Sequence, residues 1–462
     1  MTKSLTQHAV ELNRNAGWCW FQDDRVLVDH DRGQVLFTSV ANRSGTDGER
    51  RNGDIDVTTF RPPDGPATTV TLGNVPTLEL GDDHNAAALW LRPDGRYLAM
   101  FTGHLYGRGI NLDPDGRTDT TPDSFYRISE SPGDAVNWGP TRRFTWPSND
   151  PTACENNDVT YSNLIHLAEE GGENGRLYNF ARAAGRTMHI ATSDDLGETW
   201  TYGGILSLPP SGGRNYSNGY FKFVGNGRSR IDFLATEAHP RDFNNSIYHG
   251  YIEDGRSHDA SGKVIDDDLF SLNAPPPEAF TQVFAAEPVG SGAYHHAWPT
   301  SLVRGGDGNL HALFTTRYGE ARAENFSHTA PGDADHRLFY GEFDGSVWRV
   351  EELARMGPGL HDDQQDYTGL GAIDLRRGRA VYISTNVDPR NRTELSRHAL
   401  FRGDFQTSTG EWTWTPLDES SEEDDLRPLL AVFDSETAVL LWLRGPYPHQ
   451  RDYNQIAMAR MV

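Results

Sequence analysis

The chain has 462 residues, of which 36% are hydrophobic and 11% aromatic, enough for a large core, while 47 glycines and 26 prolines imply many turns. Acidic residues outnumber basic ones by 66 to 42, and the resulting net charge of -24 repels phosphate backbones and excludes general nucleic-acid binding. No apolar run approaches a membrane span, and the two cysteines, Cys19 and Cys154, cannot form a disulfide framework.

The opening segment MTKSLTQHAVELNRNAGWCWF lacks the apolar centre of a signal peptide. As it stands the chain is expected in the cytoplasm, or in the periplasm or outside the cell if a leader has been removed. Only Lys3, Lys222 and Lys263 are lysines, and the other 39 basic residues are arginine. A salty habitat and a GC-rich genome explain that bias equally well.

From residue 32 onward one theme recurs, a Gly- or Asp-containing turn followed by a short apolar strand. The copies are RGQVLFTS (32–39), DGRYLAMFTG (94–103), NGRLYNFAR (174–182), NGRSRIDFLATE (226–237), DGNLHALFTTR (307–317), RGRAVYISTN (377–386) and DSETAVLLWLR (434–444). Their spacing of about 50 to 80 residues matches a four-stranded propeller blade with variable loops. SDDLGETW (193–200) has the Ser-x-Asp-x-Gly-x-Thr-Trp pattern of the Asp box, a structural hairpin turn of sialidase-like propellers. Weaker echoes are SESPGDAVNW (129–138), EFDGSVW (342–348) and STGEWTW (408–414). The reading is an all-β, seven-bladed β-propeller of four-stranded antiparallel blades, one domain over residues 1–462 and a monomer. A six-bladed ring with an added strand pair is the alternative.

Several hairpins carry chemistry-bearing residues at their ends. In DDHNAAALWLRPDGRYLAMFTGH (82–104), ALWL and RYLAMFTG read as two strands around an RPDG turn, which brings His84 and His104 to the same end beside Asp82 and Asp83. A metal there needs a third ligand, and the sequence offers no evident one nearby. The next hairpin (158–186) brings Tyr161 and Arg182 together in the same way. Residues 213–251 add Arg214, Tyr216, Tyr220, Lys222, His239 and His249, and a looser group, Tyr294, His295 and His296 with Asp335 and His336, is a candidate structural metal cluster. Each of these residues also has an ordinary reading: a packed tyrosine, a structural histidine or a surface ion pair.

At these residues the chain resembles the seven-bladed β-propeller polysaccharide lyases of the ulvan-lyase type. The matching pieces are NAGWCWFQDDRVLVD (15–29), DDHN…GH (82–104), TYSNLIHL with RLYNFAR (160–182), the Asp box, and TEAHPRDFNNSIYHGYI (236–252), all within about the first 250 residues. The resemblance implies β-elimination in a uronic-acid-containing polysaccharide, such as one with rhamnose 3-sulfate joined to glucuronate or iduronate. It makes Arg182 the neutraliser of the uronate carboxylate, with Arg176 the fallback, His84 the leading base candidate, Tyr161 the acid and His104 a supporting group. Asn85, Arg214, Tyr216, Tyr220 and Lys222 would line the groove. No cofactor is required on this scheme, although a structural metal ion is compatible with it.

The chemistry gives these residue types a reason of their own. Removing the proton beside a carboxylate builds negative charge there, which an arginine fork holds by two charge-assisted bonds. A neutral imidazole is a suitable base, and a tyrosine can donate to the departing oxygen or serve as base beside a cation. Two other classes stay open: a propeller glycoside hydrolase releasing rhamnose from rhamnose-glucuronate oligosaccharides at the opposite face, and a non-catalytic carbohydrate-binding propeller.

Overall fold

Each of the seven repeats forms the second strand of a separate antiparallel sheet. The computed structural model describes residues 8–462 except 20–21, 64, 76–79, 107–110, 113–117, 120, 148–157, 210–216, 289–292, 319–334, 362–365 and 418–420. Taken as blades 1 to 7 in chain order, the sheets have innermost strands Val26–Asp29, Ala88–Leu91, Thr160–Leu167, Phe221–Gly225, Tyr294–Arg304, Gly371–Asp374 and Asp425–Val432. Each innermost strand touches those of both adjoining blades, blade 7 touching blade 1, so the ring closes with seven members and not six. Val10–Asn13 pairs with Ile456–Met461 as the outer strand of blade 7, which ties the two ends of the ring together.

The second strands are near-continuous apolar runs because both of their faces are covered by neighbouring blades. Gln34–Val40 and Tyr97–Phe101 are buried at every residue. Blades 3 and 4 are joined by Phe180 stacked on Phe223, with ring centroids 4.2 Å apart. Burying an aromatic side chain of this size contributes about 1.5–3 kcal/mol. In the turn before Tyr97–Phe101, Gly95 has φ of +80°, a conformation other residues adopt only with strain.

Blade 4 departs from the expected four strands. The outer edge of Ile247–Glu253 pairs with Arg256–Asp259 along one half and with Thr281–Phe284 along the other, and Val264–Asp266 extends the sheet. The Asp box behaves as a turn: Asp195 accepts from the Thr199 amide at 2.9 Å, and Ser193 Oγ accepts from the Gly197 amide at 2.8 Å. Asp134 and Asp344 organise the first two echoes likewise, whereas in the third the amides of Thr409 and Gly410 bond to the Gln406 carbonyl. Among the described residues no helix is long and apolar enough to cross a membrane.

At one face of the ring the starts of the innermost strands converge with the ends of the second strands. Here Tyr161, His296, Leu370 and Arg427 all have left-handed φ, of 72°, 54°, 67° and 55°. Register shifts accompany three of them, in blades 3, 5 and 7, and mark β-bulges that re-aim a side chain. A tyrosine held in this region carries strain of about 1–3 kcal/mol, the kind of feature that clusters at functional sites.

The chain ahead of blade 1 crosses the axis at this face. Trp18 Nε1 donates to the Arg427 carbonyl at 3.3 Å, Gln22 Nε2 to the His84 carbonyl at 3.1 Å, the Asp23 amide to Asn163 Oδ1 at 2.9 Å and Arg25 Nη2 to the Ser162 carbonyl at 2.7 Å. Blades 7, 2 and 3 are thereby bridged, and the segment gives the site above it a floor.

Candidate active site

The hairpin of Ala88–Leu91 and Tyr97–Phe101, with Ala88 opposite Met100, returns His84 and His104 to one end of blade 2. Their rings stack at 4.2 Å with an interplanar angle of 4°. One carboxylate holds both: Asp82 Oδ1 lies 2.5 Å from His84 Nδ1, and Oδ2 lies 2.9 Å from His104 Nδ1. The His104 amide donates to Asn85 Oδ1 at 2.6 Å, so Asn85 fixes the backbone of the pair.

In blade 3, Thr160 pairs with Arg182, and the left-handed turn at the next residue aims Tyr161 into the same space. The Tyr161 ring lies between two groups that can carry positive charge, 4.9 Å from the Arg182 guanidinium carbon and 5.7 Å from the His84 ring. Arg182 Nη1 donates to Tyr220 Oη at 3.1 Å and to Ser217 Oγ at 3.3 Å. The Tyr161 hydroxyl is buried with no hydrogen-bond partner among the described residues. A buried polar atom left in this condition costs about 1–3 kcal/mol, and at a reaction centre it is a group held ready for a ligand.

The electrostatics set resting protonation states. Burial raises the Tyr161 hydroxyl well above the usual tyrosine range, and Tyr220 adds to this while His84 and Arg182 partly oppose it, so Tyr161 is protonated at neutral pH. Burial is the largest single influence and disfavours the His84 cation, but the Asp82 carboxylate, with smaller contributions from Cys19, Tyr161 and Tyr367, holds His84 well above an ordinary histidine. Asp82 is held low despite its own burial by the two imidazoles.

Sequence reasoning missed the contribution of the C-terminal blades. Asp83 Oδ2 accepts from Arg427 Nη1 and from the Tyr447 hydroxyl, each at 2.6 Å, which anchors the His84 loop to blade 7. The expectation of no third ligand near the histidines is corrected: Cys19, Asp83 and His84, and separately Asp82, His84 and His104, present donor atoms within 4.8 Å of one another and could hold a metal ion. The carboxylates immediately precede His84 in sequence, and Cys19 arrives with the segment crossing the axis.

Other sequence candidates scatter. Tyr220 and His239 join the site wall, their rings 5.4 Å apart. Lys222 is buried, donates to the Gln22 carbonyl and faces Asp23 and Asp24, so it secures the floor and is not an exposed cation in a groove. His249 bonds Asp232 and Trp348 within blades 4 and 5, away from the convergent face. Arg176 occupies the far end of the strand that carries Arg182 and pairs with Asp194 at 2.7 Å. Arg214, Tyr216 and Cys154 lie outside the described residues. Among the described residues the looser cluster does not bring three donor atoms together: Asp335 pairs with Arg337 and Arg355, Tyr294 bonds Glu352, His336 Nδ1 lies 3.2 Å from the Gly357 carbonyl, and His295 Nδ1 lies 2.6 Å from His296 Nδ1.

Arg176→Ala is expected to leave turnover unchanged and to cost about 1–2 kcal/mol in stability, because Arg176 is partly buried, holds both Asp194 oxygens and lies over the Phe270 ring. Kinetics and thermal denaturation of that one variant check both statements, and a large loss of turnover would favour Arg176 over Arg182 as the arginine that the resemblance assigns to a uronate carboxylate.

No protein-family model matches the chain, and no curated protein matches it. Solved structures do share its fold. A polysaccharide lyase described as a PL25 ulvan lyase superposes with a TM-score of 0.50 at 12% identity, covering 97% of this chain and 86% of its own. An α-L-arabinofuranosidase from Fusarium graminearum gives 0.46 at 12% identity, with 81% and 92% covered. The NanB sialidase from Streptococcus pneumoniae gives 0.44 at 12% identity, with 98% and 69% covered. At such identity the likeness is one of architecture.

Proposed function

We propose that this propeller is a polysaccharide lyase that cleaves a uronic-acid-containing polysaccharide by β-elimination at the His84, Tyr161 and Arg182 site. The observation that carries the proposal is the Tyr161 side chain, held in a strained left-handed backbone between Arg182 and His84 with no hydrogen-bond partner for its buried hydroxyl among the described residues. Arg182 takes the uronate carboxylate and stabilises the charge that develops on it. Neutral His84 removes the C5 proton, the C–H electrons form the C4=C5 double bond, the C4–O4 bond breaks, and Tyr161 delivers its proton to O4. His104 and Asp82 orient His84. Arginine neutralises the carboxylate in this scheme, so a bound metal or other cofactor is not called for.

The charge of the site supports an anionic substrate: a protein of net charge -24 buries Arg182 against Tyr161. Ulvan, with its sulfated rhamnose joined to uronate, is the first polymer to test, and the fold is shared with an ulvan lyase. Incubation with ulvan should give a rising ultraviolet absorbance from the conjugated unsaturated uronate, and release of free rhamnose with no absorbance would favour the hydrolase. Four described carboxylates at this face are held by cations, Asp82 by the histidines, Asp83 by Arg427, Asp158 by Arg186 at 3.0 Å and Asp366 by Arg317 at 2.6 Å, whereas burial raises Asp23 to about 6 and Glu237 to about 7, so the products decide against or for hydrolysis. None of those four is a protonated acid at neutral pH.

The pH dependence has a definite sign. Because Asp82 raises His84, the base form is scarce at neutral pH, and kcat/KM is expected to climb through a limb above the ordinary histidine value of about 6.5. In Asp82→Asn one of two counter-charges is gone, Asp83 Oδ1 staying 2.8 Å from His84 Nδ1, while burial still disfavours the cation, so the limb moves to lower pH and the maximal rate falls as the rings lose their common anchor. A limb that stays in place in Asp82→Asn would assign the base to another group.

A further inference from the structure

Blade 5 repeats the local geometry that places Tyr161 and Arg182 in blade 3. In blade 3, the residue before left-handed Tyr161 pairs with Arg182; in blade 5, the residue before left-handed His296 pairs with Arg317. Tyr161 and His296 are therefore equivalent positions, as are Arg182 and Arg317, and the same kind of bulge presents both pairs at the same face.

Blade 4 joins the two pairs. Tyr220 accepts from Arg182, its ring lies 5.4 Å from His239, and Trp298 of blade 5 lies 4.9 Å from Tyr220 and 5.1 Å from His239. A continuous wall of rings thus runs from one arginine towards the other.

The pairs differ in charge. Arg317 forms a two-point ion pair with Asp366, at 2.7 and 2.6 Å, whereas Arg182 donates to the hydroxyls of Ser217 and Tyr220. Burial, reinforced by Arg317, pushes His296 down to about 3, and burial also takes His239 well below the histidine range. Both imidazoles are neutral at physiological pH. The blade 5 group then has no net charge but keeps ring nitrogens, carboxylate oxygens and guanidinium N–H groups side by side, the mixture of donors and acceptors that vicinal hydroxyls require.

We propose that His296, Arg317 and Asp366, with the wall of Tyr220, His239 and Trp298, form a second sugar subsite that binds the hydroxyl groups of a ring further along the polymer from the uronate held by Arg182. This rests on the uronate reading of the blade 3 pair. It makes the site a two-point reader, anionic group in blade 3 and neutral hydroxyls in blade 5, so affinity depends on chain length.

The test is calorimetric titration of Tyr161→Phe protein, in which substrate is bound and not consumed, with an ulvan disaccharide and a tetrasaccharide. His296→Asn is added on that background because asparagine tolerates left-handed backbone. A second variant combines Arg317→Gln with Asp366→Asn so that neither charge is left buried alone. The reference is expected to bind the tetrasaccharide about tenfold more tightly than the disaccharide, and both variants to lose that gain while binding the disaccharide as the reference does. Retention of the gain, or equal loss at both lengths, overturns the subsite. Absence of cleavage by the unmodified protein with the length effect still abolished by the variants removes the lyase reading and keeps the subsite. Cleavage with the length effect retained does the reverse, and no binding at either length removes both.

Discussion

Tyr161→Phe is expected to lower kcat by at least about a hundredfold, the lower end of what a positioned acid contributes, while raising the stability of the fold by about 1 kcal/mol. Both halves come from one atom. The hydroxyl is buried and finds no hydrogen-bond partner among the described residues, so its removal relieves an unsatisfied polar group and leaves the packing of the ring against Arg182 and His84 in place. A site that trades stability for function should respond in this way. Initial rates on ulvan and a denaturant titration of the same preparation check the two halves separately. Near-full activity in the phenylalanine variant would take Tyr161 out of the mechanism, and a stability loss of several kcal/mol would show that its hydroxyl has a structural role.

Arg182→Lys should lower kcat/KM by about 10² to 10³, close to the effect of deleting a donor at a developing oxyanion. The charge is kept, but an ammonium cannot lay a planar fork against a carboxylate or stack flat on a tyrosine ring. Arg182 is 1% exposed and already donates to Tyr220 and Ser217, so a shorter-reaching ammonium would have to choose among these partners. The loss is expected in kcat as well as in KM, because the charge on the carboxylate grows in the transition state. A variant that kept wild-type kcat with only a raised KM would make Arg182 a ground-state binder.

The histidine pair and the Tyr161 and Arg182 pair were legible in the sequence because both are local. Each depends on one short hairpin whose Asp-Gly or Asn-Gly turn fixes register, so residues about twenty apart must meet. The seven repeats were legible for the same reason. What the sequence concealed is non-local or lies in the backbone. Arg427 meets Asp83 across 344 positions, through ring closure and not through a motif. The bulges that turn Tyr161 and His296 inwards leave no residue signature, since glycine occupies neither position. The resemblance makes Lys222 a groove residue, but it says nothing of exposure, and its ammonium is buried and committed to the segment crossing the axis. The place of that segment is non-local too, because Gln22 and Asp23 meet the His84 carbonyl and Asn163 only once the ring is assembled around them.

The most direct test of elimination at this site is digestion of ulvan in heavy-oxygen water, with mass spectrometry of the products and absorbance followed together. Elimination breaks the C4–O4 bond without adding water, so the products should carry no solvent oxygen at the new ends, show the mass of an unsaturated uronate and absorb in the ultraviolet, with all three signals lost in Tyr161→Phe. Incorporation of heavy oxygen at the cleaved bond, with saturated products and no absorbance, would contradict the account and make this propeller a hydrolase.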